Sequence, residues 1–100
     1  MDYEIVWTMP AADDLEGIWR YVAADSPSAA DNLVAELVHC VEQIRTFPSA
    51  AAIFRKSRHP IRAVTHRNYR IFYRVREQSA RVQILCIRHS ARRDPRFPRE

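Results

Sequence analysis

One hundred residues, 47% hydrophobic and 28% charged, make a single globular domain with a modest core. That composition excludes a disordered chain, and a single glycine excludes a glycine-rich phosphate cradle. The net charge of +4 conceals a division. Residues 1–50 carry nine acidic and two basic side chains, a net of −7, and residues 51–100 carry fourteen basic and three acidic, a net of +11.

The chain opens on a short β-type run, Tyr3 to Trp7. No apolar leader surrounds Asp2 and Glu4, and no apolar run approaches membrane-spanning length, so a cytoplasmic, reduced protein is expected, with no membrane partner. Thr8 can cap a helix with Pro10 in its first turn. Leu15, Ile18, Trp19 and Val22 fall at helical spacing and make one apolar stripe. Asp13, Asp14 and Glu16 lie near the N-terminal end, where the helix dipole favours them. Ser26 caps a second helix with Pro27 at its start. Ala30, Leu33, Val34, Leu37, Val41 and Ile44 form its stripe, and Pro48 stops it. The two helices make an αα-hairpin.

Residues 48–60, "PSAAAIFRKSRHP", read as a connecting loop with a basic tip. Strands follow at Ile61–Thr65 and Tyr69–Val75, with Asn68 between them as a turn residue that tolerates positive φ. "REQS" turns into a last strand, Val82–Ile87, apolar on both faces as a central strand is. The expectation is an α+β domain over residues 1–93 of order β-α-α-β-β-β. Its helical hairpin packs on one face of an antiparallel sheet, and residues 94–100 form an irregular, basic, proline-containing tail.

Cys40 and Cys86 sit in apolar periodic segments and read as buried free thiols. Cys86 and His89 are three apart on a strand and face opposite ways, so neither a shared metal nor a Cys–His catalytic pair is expected. No cofactor is implied. The acidic residues lie on solvated helix faces, which leaves no paired-carboxylate site. What remains is arginine, which supplies thirteen of the fourteen basic residues in the second half. Arg70, Arg74 and Arg76 alternate onto one strand face, and Arg88, His89, Arg92 and Arg93 end the neighbouring strand. Guanidinium forks match phosphate and carboxylate. The set reads as an anion-binding surface for nucleic acid or an acidic protein segment. Tyr69 and Tyr73 share a face with Ile71 and Val75 and read as core.

The segments "AADDLEGIWRYV", "IRTFP", "IRAVTHRNYRIFYRV" and "VQILCIRHSARR", in that order, resemble the RelE/ParE superfamily of toxins from bacterial type II toxin–antitoxin systems. The resemblance covers residues 3–93, and "NYRIFYRV" and "HSAR" are its most specific pieces. It implies one of two activities. Toxins of the ribonuclease branch cut mRNA on the ribosome without metal, whereas ParE toxins inhibit DNA gyrase and are not hydrolases. Arg70 matches an arginine used by the ribonuclease branch and common to both branches, and Arg92 or Arg93 falls near a second such arginine. With His89 as a general acid or base, Arg70, His89 and Arg92 are the catalytic set of that alternative. Against it, Ile61 and Ala63 stand where RelE-type ribonucleases carry lysines, and only Phe97 follows where they have a tyrosine.

The resemblance therefore implies first a ParE-like inhibitor of DNA gyrase. A cognate antitoxin, whose disordered segment folds onto the toxin, neutralises it in a heterotetramer or higher assembly. Trp19, with the exposed sides of both helices, is expected in that contact. The second reading is a RelE-like endoribonuclease with the ribosome and mRNA as partners. The third is a non-toxic module that binds antitoxin or nucleic acid.

Overall fold

The computed structural model describes residues 2–98. The chain runs β1 (Glu4–Trp7), α1 (Met9–Ala23), α2 (Pro27–Ile44), β2 (Ala52–Arg55), β3 (Ile61–His66), β4 (Tyr69–Arg76) and β5 (Arg81–His89). Both helices begin as their sequences dictate. The Thr8 hydroxyl accepts from the Ala11 amide at 3.3 Å and the Ser26 hydroxyl from the Ala29 amide at 3.2 Å, each with a proline in the first turn.

The five strands lie in the order β1-β5-β4-β3-β2. β2, β3, β4 and β5 pair antiparallel in succession, while β1 lies parallel to β5. The expected antiparallel sheet thus has one parallel edge. β5 is apolar on both sides and takes a neighbour on each, β4 on one flank and β1 on the other. β1 ends at Trp7, opposite Ile84. Beyond it α1 takes over the strand edge: the Thr8 hydroxyl donates to the Ile84 carbonyl at 2.7 Å, and Asp14 accepts from the Ile87 amide at 2.9 Å. Asp14 therefore fastens helix to sheet instead of serving the helix dipole.

Two local expectations are corrected. The segment 48–60 is not all loop, because Ala52–Arg55 forms the edge strand β2 against β3. It is four residues long, breaks register between Ile53 and Arg55, and follows an alanine run without β preference, which hid it. The left-handed residue of the β3–β4 hairpin is Arg67, with φ 54°, and not Asn68. Its guanidinium is clamped by Glu36 of α2, Nε to Oε1 at 2.6 Å and Nη2 to Oε2 at 3.2 Å. That clamp helps hold a conformation costing about 1–2 kcal/mol for a residue with a β-carbon.

The helices cover one face of the sheet. Leu37, Val41 and Ile44 of α2 and Ala11 of α1 meet Ile71, Tyr73, Val75, Val82, Ile84 and Ile87. Tyr73 is fully buried, as its alternation implied, and its hydroxyl donates to the Pro48 carbonyl at 2.6 Å. Leu15 and Ile18 reach this core. Trp19, in the same stripe, stays 38% exposed, and its indole donates to Asp31 of α2 at 2.8 Å. Opposite Phe72 and Tyr73, β5 bulges by one residue, Leu85. The bulge lets Val82, Ile84 and Ile87 all face the helices, while Leu85 and Cys86 both pack on the other side.

Candidate functional site

The face of the sheet away from the helices carries the arginines. Alternation along β4 sends Ile71, Tyr73 and Val75 to the helices and Arg70, Phe72, Arg74 and Arg76 outward. Arg70 pairs in register with Arg88, so these two share one end of the outer face. Arg76 is six residues further along, roughly 20 Å away at ~3.3 Å per residue. Between the two ends lies a second apolar cluster of Ile61, Phe72 and Cys86, packed with Phe54, Ala63, Leu85 and Phe97. The outward arginines form two basic ends around an apolar waist.

At the first end, the Arg70 guanidinium lies over Phe72, 4.9 Å from the ring centroid, and near Phe54, at 5.7 Å. It forms an ion pair with Asp94. Arg88 stands beside Cys86. Burial pushes the Cys86 thiol up, while Arg88 and Arg70 pull in the opposite direction. Burial also raises the thiol of half-buried Cys40, and both cysteines are free. The Arg88 Nε is buried with no hydrogen-bond partner among the described residues. Arg92 and Arg93 are exposed just beyond the strand, where the Arg92 amide closes a turn on the His89 carbonyl at 3.0 Å.

His89 belongs to the other face. It pairs in register with Tyr69, whose ring it meets edge-on at 5.2 Å, and Tyr69 packs toward the helices. Its Nδ1 accepts from the Ala91 amide at 3.0 Å, which selects the tautomer protonated on Nε2. The structure thus gathers Arg70, Arg88 and Asp94 on the outer face and sets His89 on the other. Cys86 and His89 are divided the same way, as their spacing implied. Among the described residues no three His, Cys, Asp or Glu side chains come together to hold a metal ion, and no helix is long and apolar enough to cross a membrane.

At the second end, Arg74 donates from Nε to the His59 carbonyl at 3.0 Å, and Arg76 from Nε to Gln83 at 3.1 Å. Arg76 lines a cleft of about 860 Å³ together with Arg55, Lys56, Ser57, Arg58, His59 and Phe97. Sequence reasoning passed over this cleft. Its signal in the sequence is "FRKSRH", three cations and a histidine within six residues, which reads by itself as the basic tip of a loop.

A helical hairpin on one face of a mostly antiparallel sheet, with arginines on the other face, is the architecture of a RelE/ParE superfamily toxin. Within that class, the family model for the ParE toxin of the type II toxin-antitoxin system parDE matches residues 5–94, and the chain belongs to that family. It is similar in structure to a chain of the chromosomal ParDE TA system from P. aeruginosa, with 25% identity, a TM-score of 0.72, and 87% of this chain and 95% of that one covered. A chain of the toxin-antitoxin complex RelBE2 from Mycobacterium tuberculosis shares the fold at 20% identity and a TM-score of 0.69, over 89% of this chain and 99% of that one. None of the curated proteins matches this sequence.

Proposed function

We propose that this ParE-family toxin inhibits DNA gyrase and is neutralised by a cognate antitoxin. The observation that carries the reading is the separation of Arg70 from His89 on opposite faces of the sheet. Cleavage of a phosphodiester without metal needs an acid or base and an anion clamp converging on one phosphate. Here the clamp candidate, Arg70, is paired with Asp94 on the outer face, and the base candidate meets Tyr69 edge-on on the inner one. Ile61, fully buried, and half-buried Ala63 add to the argument. They put an apolar waist where a ribonuclease of this superfamily places lysines. Kinship with a chain of a ParDE system supports the antitoxin as partner.

The test is to add purified protein to DNA gyrase and to a translation reaction in parallel. Loss of supercoiling with accumulation of gyrase–DNA cleavage complexes, and intact mRNA, is the expected result. Messenger RNA cut within codons, and abolished by His89→Ala or Arg92→Ala, would replace this reading with the ribonuclease one.

A further inference from the structure

The cleft at the second basic end has features that a solvated loop lacks. Four cations, Arg55, Lys56, Arg58 and Arg76, converge on it, and no carboxylate is among its described lining. Lys56 and Arg58 are exposed and make no side-chain hydrogen bond or ion pair among the described residues. The loop that carries them is braced. Arg55 donates to the Phe97 and Pro98 carbonyls at 2.8 and 2.9 Å, and the Ser57 hydroxyl to the His59 carbonyl at 2.9 Å. Arg74 ties the His59 carbonyl down to β4. Like charges held together with no counter-charge among the described residues of the lining repel one another, and a bound anion relieves that cost.

We propose that this cleft is a phosphate-binding site for a nucleotide, free or within a strand. Arg55, Lys56, Arg58 and Arg76 take the phosphates, and Phe97 forms an apolar wall on which the base rests. The volume of about 860 Å³ suits a ligand of that size. Phosphates also match the crowding of the cations better than an acidic peptide does. An extended peptide presents one carboxylate on a given side every ~6.6 Å, whereas consecutive phosphates bring several charged oxygens to one place. Among the described residues, Arg55 and Arg76 use only part of their donor sets on protein partners, which leaves N–H groups for the ligand.

The site is tested on the purified full chain, without gyrase or ribosome, so its failure is separate from that of the proposed function. The probe is a fluorescein-labelled twelve-nucleotide thymidine strand, followed by anisotropy across a salt series. Lys56→Glu with Arg58→Glu should weaken binding by about tenfold or more and flatten the salt slope by about 1.4, since each single-strand phosphate contact contributes ~0.7. Both residues are exposed, so circular dichroism should be unchanged. Arg20→Glu, on the outside of α1, makes the control for general charge. Displacement of the strand by free ATP would identify a nucleotide site, and displacement by unlabelled strand alone a strand site; both support the assignment. Affinity and slope equal to those of the Arg20→Glu control would overturn it. So would displacement of the strand by a polyglutamate peptide at equal or lower concentration.

Discussion

Asp94 is the residue that most changes the meaning of the arginine face. It is the one acid in "RRDPR", and it closes on Arg70, whose side chain is only 25% exposed. If Arg70 serves the target, Asp94 competes with the target for it. Asp94→Asn should then lower the concentration that inhibits gyrase by a few-fold, and Arg70→Ala should raise it. The effect stays modest because Asp94 is 60% exposed and water screens the pair. No change in either variant would assign the pair to structure alone. A second acid acts through pH. Glu36 accepts from Arg67 and from His66 Nε2, the latter at 2.7 Å, and these partners, Arg67 first, hold its carboxyl below the ordinary value of 4.5. A depressed folded value means that the contribution is complete above the ordinary value and is lost as pH falls through the folded one. Urea midpoints should therefore fall below about pH 4.5 in the wild type. Glu36→Gln should lack that part of the decline, and equal acid sensitivity in both proteins would show that the clamp adds nothing.

At the scale of elements, the helices and the central strands were legible because each carries its own periodicity. The α2 stripe of Ala30, Leu37, Val41 and Ile44 is the buried set of that helix, and Ile71, Tyr73 and Val75 alternate into the same core. What was not legible depends on contacts outside each element. β2 is a strand because β3 stands beside it, and the parallel place of β1 depends on an edge of β5 some eighty residues away. The site shows the same limit. Alternation put Arg70, Arg74 and Arg76 on one face, but nothing in that spacing shows Phe97 packing on Phe54 and Phe72 between them. Residues 94–98 have no regular structure and still pack as part of the outer face, with Pro95 buried; the rest of the expected tail, 99–100, lies outside the described residues. Phe97→Ala uncovers Phe54 and Phe72 and should cost stability, up to about 3 kcal/mol given partial burial. A chemical-denaturation midpoint would show this, and an unchanged midpoint would mean that the segment lies loosely. Tyr73→Phe leaves the buried Pro48 carbonyl without its donor and should cost about 1–3 kcal/mol by the same measurement.

For the whole molecule, the charge division is a division of surfaces. The acidic first half supplies the helices, and the basic second half supplies four of the five strands. A proposed antitoxin with an acidic recognition segment would therefore be drawn to the sheet side, while partly exposed Trp19 is the proposed contact on the helix side for the rest of it. A domain of 100 residues has a small stability margin, so a partner that binds only the folded toxin should shift its unfolding visibly. At a thousand times the dissociation constant, linkage adds about 4 kcal/mol. At ~4–8 °C per kcal/mol for a domain of this size, the thermal midpoint should rise by roughly 15–30 °C. The measurement is differential scanning calorimetry of the toxin with and without a candidate cognate antitoxin, at low and high salt. The rise should shrink in high salt if the acidic segment sits on the arginine face, because exposed charge contacts are screened there. A midpoint that does not move, with the two chains eluting separately at micromolar concentration, would remove that candidate as the partner. A large shift indifferent to salt would keep the partner but move its main contact to the exposed sides of α1 and α2, where Trp19→Ala should then reduce it.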